Sequence, residues 1–237
     1  MTNRSMTLYE KMLVSFTAVL ALSLGTAPSV HAMHIMEGYL PGASCIAWGV
    51  ICLPFLLAGF LSIRRTLASN RKALVLLAMS GAFIFVISSL KIPSVTGSCS
   101  HMTGTGLGAI LFGPSAVSIL GLIVLLFQAI LLAHGGLTTL GANTFSMAVA
   151  GPILSWLIYT ICKKLKINRR VSIFLAAALG DFFTYCITSI QLALAYLSQQ
   201  GGTLTSAVKF LGVFAPTQIP LAFIEGILPV FIVIVLE

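Results

Sequence analysis

Charge is what this chain has least of. Of its 237 residues only 5 are acidic and 13 are Lys or Arg, so 8% are charged while 58% are hydrophobic. Mean hydropathy is +1.08. No soluble domain of this length exposes so few charges, and the solvent of the chain is therefore a lipid bilayer. Paired cysteine spacing is also missing. Cys45, Cys52, Cys99, Cys162 and Cys186 form no CxxC pattern, and four lie inside or at the ends of apolar runs, which predicts packed thiols rather than disulfides. A GxxxxGK[ST] loop is absent, so the chain does not cradle ATP phosphates by itself. The net charge of +8 is not a nucleic-acid footprint, because most of it sits in two short clusters between apolar runs, as in cytoplasmic loops.

The first residues follow a processing pattern. Met1 to Met12 is polar and carries Arg4 and Lys11, diluted by Glu10; Leu13 to Leu24 is apolar but short of the ~20 residues a span needs. Gly25 to Ala32 breaks the helix and ends on Val30-His31-Ala32. This order predicts a secretory signal peptide over residues 1–32, cleaved after Ala32. The mature chain, residues 33–237, then begins Met33-His34-Ile35-Met36-Glu37-Gly38 with its amino terminus outside.

The rest reads as an all-α integral membrane protein with about seven transmembrane helices. The expected spans are about Cys45–Ile63, Ala73–Ile92, a short Thr103–Phe112, Ser115–Ala133, Thr139–Cys162, Val171–Leu197 and Thr217–Leu236. Arg64, Arg65, Arg71 and Lys72 follow the first; Lys163, Lys164, Lys166, Arg169 and Arg170 follow the fifth. Both clusters are expected in the cytoplasm, as is the carboxyl terminus. Parity then requires Thr103–Phe112 to cross, or it and a neighbour both to be re-entrant. With Gly104, Gly106 and Gly108, so short a segment persists in lipid only if other helices enclose it. The same parity brings the mature terminus, the His101 loop and His134 to the outer side.

A terminal Met-His pair is a metal chelator. A free α-amine has a pKa near ~7.7–8.0, so a metal displaces its proton at neutral pH. The Met33 amine and the His34 amide nitrogen close a five-membered ring on one metal, and the His34 Nδ1 closes an adjoining six-membered ring. His101 is positioned to supply a fourth nitrogen. Four nitrogens in a plane suit Ni(II), Cu(II) or Co(II) better than tetrahedral Zn(II). The bland alternative makes His34 and His101 solvated loop residues. Glu37, His134 and Asn143 are expected behind the ligands, with Asn143 and Thr139 bracing the amino-terminal loop by hydrogen bonds. Inside the last two spans, Asp181 and Glu225 mark function by default, unless Thr184, Thr188, Gln191 or backbone groups satisfy them.

The chain resembles the CbiM family, the cobalt-specific substrate-binding membrane components (S components) of energy-coupling factor (ECF) transporters. The resemblance runs through Met33-His-Ile-Met-Glu-Gly-Tyr-Leu-Pro41, the His101 loop and Ala133-His-Gly-Gly-Leu-Thr-Thr-Leu-Gly-Ala-Asn143. Gly180-Asp-Phe-Phe-Thr-Tyr185, Thr188-Ser-Ile-Gln-Leu-Ala-Leu194 and Glu225-Gly226 extend it. It implies capture of Co(II) as cargo outside the plasma membrane and its delivery inwards for cobalamin biosynthesis. Met33, His34 and His101 would be the ligands, with no resident cofactor and no enzymatic activity of the chain's own. The implied partners are a transmembrane coupling protein, two ABC-type ATPases and a small auxiliary membrane subunit. Nickel relatives place Pro-Asp-Gly after Met-His-Ile where this chain has Met36-Glu37-Gly38, which leans towards cobalt over a nickel-specific S component. Two rivals fare worse. A stand-alone secondary metal permease calls for an inverted repeat, and Gly113-Pro114 and Gly151-Pro152 echo each other only faintly. An intramembrane hydrolase built on Ser115 and His134 lacks a nucleophile motif and has its two residues on opposite membrane faces.

Overall fold

Long apolar runs broken by Gly, Pro and basic residues fold into successive helices. The computed structural model describes residues 34–90, 92–93, 99–198 and 201–236; the expected leader and Met33 lie outside the described residues. The helices are α1 (Gly42–Ser69), α2 (Ala73–Ser89), α3 (Thr105–Phe112), α4 (Pro114–Leu131), α5 (Leu140–Lys164), α6 (Arg169–Ala195) and α7 (Gly202–Leu236). Between α2 and α3 a two-residue antiparallel pair forms, β1 (Ile92–Pro93) with β2 (Cys99–Ser100).

Local chemistry sets the boundaries. Gly113, at φ 83°, takes a conformation closed to other residues and ends α3, and Pro114 at the first helical position starts α4. Asn168 caps α6 by accepting a 2.9 Å bond from the Arg170 amide. A π-helical turn over Thr144–Ala150 interrupts α5 and widens it.

Among the described residues, α1, α4, α5, α6 and α7 are long and apolar enough to cross a bilayer. The seven crossings expected from hydropathy and charge therefore reduce to five by length and composition. The 17-residue α2 falls just short. The 8-residue α3 is only ~12 Å long at ~1.5 Å per residue, against ~30 Å of hydrocarbon. It is enclosed as its glycines require: a Cβ on Gly106 would sit 2.9 Å from the Ala177 Cα of α6. The last helix also differs from expectation. It begins at Gly202 rather than near Thr217, because Thr203, Thr205, Ser206 and Lys209 depress hydropathy without breaking a helix. Its 35 residues extend ~50 Å, so one end leaves the hydrocarbon.

Small residues let the central helices approach closely. A Cβ on Gly121 of α4 would lie 2.4 Å from the Ala148 Cβ of α5, and one on Gly180 of α6 would lie 1.8 Å from the Ser155 Oγ of α5. Two apolar clusters result. One joins Leu77, Ile84, Val117, Val124 and Met147; the other joins Ile35, Leu40, Ala142, Tyr185, Leu192 and Phe214. Ile46, Val50, Leu53, Leu57 and Phe60 on α1 point outward, which only a lipid environment accommodates.

Candidate metal centre

His34 belongs to the extended stretch before α1, and its neighbour is held on both sides of the peptide. The Ile35 amide donates to Asn143 Oδ1 at 2.8 Å, while the Ile35 carbonyl accepts from Asn143 Nδ2 at 3.0 Å and from Thr139 Oγ1 at 2.6 Å. The Asn143 side chain thus pairs with this backbone as a neighbouring strand would. The Tyr196 hydroxyl at the end of α6 donates to the Tyr39 carbonyl, fixing the stretch further along. Gly136 makes the approach possible: a Cβ there would lie 2.5 Å from the Glu37 Cα.

His134 arrives from the opposite direction. α4 ends at Leu131, Ala133 turns left-handed at φ 46°, and the His134 amide returns to the Gln128 carbonyl at 3.1 Å. Gly135 continues the left-handed turn at φ 80°, where any side chain would be strained. His101 follows β2 in irregular backbone ahead of α3.

The three imidazoles meet. His34, His101 and His134 are 3%, 1% and 1% exposed, which removes the solvated-loop reading. One ligand atom from each lies within 4.8 Å of those from the others. The His34 and His101 rings stack with centroids 4.3 Å apart and planes 22° apart, and His134 stands edge-on to both, at 81° and 87°. His134, expected behind the ligands, puts its Nε2 3.0 Å from His34 Nδ1.

Hydrogen bonds assign the tautomers. The His34 Nε2 lies 3.2 Å from Met147 Sδ, and a thioether carries no hydrogen, so Nε2–H donates. In a neutral ring Nδ1 is then the acceptor nitrogen, and it receives the His134 Nε2–H. The His101 Nδ1 donates to the Met102 carbonyl at 2.9 Å, leaving Nε2 as its acceptor nitrogen. Chelation by a terminal Met-His requires His34 Nδ1, and that is the atom left with a lone pair. Met147 is the residue that sequence reasoning missed. It reaches the site from the π turn, and nothing in a Ser-Met-Ala-Val stretch announces it.

Glu37 turns elsewhere. Its Oε2 accepts from the Thr138 amide at 3.1 Å, and the side-chain and backbone groups of Thr138 hold its carboxyl below the usual carboxylate range. It ties two loops together, with its bonds directed at Thr138 rather than at an imidazole. Asp181 and Glu225 are satisfied only in part as expected: backbone amides serve Glu225, while the three side chains named for the role point elsewhere. Thr184 and Thr188 donate to their own helix and Gln191 to the Ala142 carbonyl. Gln218 serves Asp181, and Thr103 and Gly104 serve Glu225. The donor set of the centre is therefore nitrogen, with one thioether at its edge. Such a set fits borderline transition metals and not Ca(II) or Mg(II), which need oxygen.

Comparison with known proteins agrees with that chemistry. A family model described as the cobalt uptake substrate-specific transmembrane region, CbiM, matches residues 34–237. A cobalt transport protein CbiM of Lachnoclostridium phytofermentans is 68% identical over 228 residues, 96% of this chain and 91% of that one. Its counterpart in Clostridioides difficile is 60% identical over 91% of this chain and 86% of the relative. A crystal structure titled as a truncated transition metal transporter superposes with a TM-score of 0.74 at 28% identity, covering 86% of this chain and 97% of that one.

Proposed function

Because the chain belongs to the CbiM family of cobalt transport membrane proteins, we propose that it is the metal-capturing subunit of an ATP-driven energy-coupling factor importer that takes up Co(II) for cobalamin biosynthesis. One observation carries the reading: three buried imidazoles converge with the acceptor nitrogens of His34 and His101 in the tautomers a terminal chelate needs. In this reading the leader is removed after Ala32, and the Met33 amine joins the His34 amide and Nδ1 and the His101 Nε2 around the metal. His134 hydrogen-bonds to His34 Nδ1, and a metal bound there would take the place of that bond. Glu37 and Asn143 hold the loops that present the ligands.

With α2 and the enclosed α3 counted as passes, the crossings number seven. The mature terminus then lies outside and the carboxyl terminus inside, next to the cytoplasmic partners. Those partners are a transmembrane coupling protein, two ABC-type ATPases and a small auxiliary membrane subunit, since this chain has no phosphate-binding loop of its own. Metal arriving at the site displaces protons from the amine and amide, so binding acidifies the medium.

The test is to purify the protein from its host, determine the amino terminus by mass spectrometry and measure bound metal on the same sample. A chain starting at Met33 with stoichiometric cobalt is expected. A chain that retains residues 1–32 and still holds cobalt tightly overturns the site, and stoichiometric nickel transfers the reading to that metal.

A further inference from the structure

His101 lacks regular structure on its carboxyl side. Residues 101–104 are irregular, and the β2 strand before them has only two residues. A ligand in such a segment must be held by side chains. On one side, Ser100 Oγ meets Thr217 Oγ1 of α7 at 2.7 Å. On the other, the Glu225 carboxyl of α7 gathers three donors: the Thr103 amide at 2.5 Å, the Thr103 hydroxyl at 2.7 Å and the Gly104 amide at 2.9 Å. Two successive amides, those of Thr103 and Gly104, thus face the same carboxyl, a concavity suited to an anion. Glu225 is 2% exposed and adjoins Asp181 of α6, which in turn accepts from Gln218 Nε2 at 2.6 Å.

We propose that α7 is the element that positions His101 for metal capture, with Thr217 and Glu225 as positioning residues on either side of that imidazole. The inference rests on the reading of His101 as a ligand. In either orientation of its amide, Glu225→Gln sets an NH2 against the Thr103 or the Gly104 amide and leaves that buried donor without an acceptor, and a backbone group in that state is not tolerated at membrane depth. The segment must then shift. Metal–nitrogen bonds hold only within about 0.2 Å of their ideal length, so a small shift two residues from His101 is enough to lose its nitrogen. Pro216, Pro220 and Pro229 each remove a backbone donor from α7 around the stretch that carries both contacts.

The experiment compares Co(II) titrations and the visible d–d absorption of the saturated full-length processed protein in wild type, His101→Ala, Glu225→Gln, Thr103→Val and Thr103→Ser. Glu225→Gln is expected to weaken binding ~10–100-fold and to shift the saturated spectrum towards that of His101→Ala. Thr103→Val should follow in the same direction, while Thr103→Ser, which keeps both donors, should restore the wild-type spectrum. A Glu225→Gln protein that saturates with the wild-type spectrum overturns the proposal, whatever its affinity, since Glu225 would then support only the fold. If Glu225→Gln fails to fold, the Thr103 pair decides: identical spectra for Val and Ser overturn it. A processed wild-type chain that takes up no Co(II) fails differently, because it removes the ligand reading itself.

Discussion

At His34 the decisive quantity is which ring nitrogen carries the hydrogen. The chelate proposed above closes from the chain terminus on Nδ1, and it needs that atom to be an acceptor when the metal arrives. Met147 secures this by accepting from Nε2 at 3.2 Å, and the Met102 carbonyl does the same for His101 from the other side of its ring. Outer partners of metal ligands act in this way, by fixing tautomer and orientation. Met147→Leu keeps the volume and removes the acceptor. Its expected effect is a loss of about tenfold in Co(II) affinity with little change in thermal stability, measured by titration and by thermal unfolding in detergent. Unchanged affinity would remove Met147 from the site and leave the tautomer to the His134 contact alone. The residue types were legible in the sequence, since a scarce His next to a cleavage pattern is conspicuous. Which nitrogen each ring uses was not: for His34 it follows from a contact across 113 residues of chain, and for His101 from a ring orientation that no local pattern announces.

At the scale of elements, the centre depends on how closely α4 and α5 approach. Gly121 lies against Ala148, the residue after Met147, and its missing side chain is what lets the π turn sit flush on α4. Gly121→Ala is expected to force those backbones apart, at a cost of about 1–3 kcal/mol in stability, and to weaken metal binding by moving Met147. The partner experiment is Gly212→Ala in α7, where a Cβ meets nothing within 4 Å. There the better helix propensity of alanine should leave stability equal or slightly raised. Thermal unfolding and Co(II) titration of both variants check the pair. Helix positions were mostly readable from hydropathy. The π turn was not, since its insertion changes the hydrogen-bond register without changing composition. The true start of α7 was hidden for the opposite reason: its first turns are polar yet helical.

At the scale of the whole molecule, the chain offers a buried centre in an apolar envelope and carries no GxxxxGK[ST] loop. Proteoliposomes holding the purified chain alone should bind radiolabelled cobalt and not concentrate it, with or without internal ATP. Accumulation driven by a proton or sodium gradient would instead make it a self-sufficient permease. Filter uptake assays with and without an imposed gradient distinguish the two. The paucity of acidic residues argues in the same direction, for Asp181 and Glu225 are engaged with α7 and the His101 segment rather than lining an open ion path.

By itself, the sequence determined the solvent of this protein, the approximate course of its helices and the short inventory of groups able to bind a metal. These depend on composition and local periodicity, which any window of the chain displays. Tertiary structure decided that His34 and His134, 100 residues apart, share a hydrogen bond, and that a carboxyl in the last helix holds a loop 122 residues upstream. In lipid buried backbone groups must find partners inside the protein and buried side chains gain from doing so, but no local pattern says which, and that choice is made only when the helices pack.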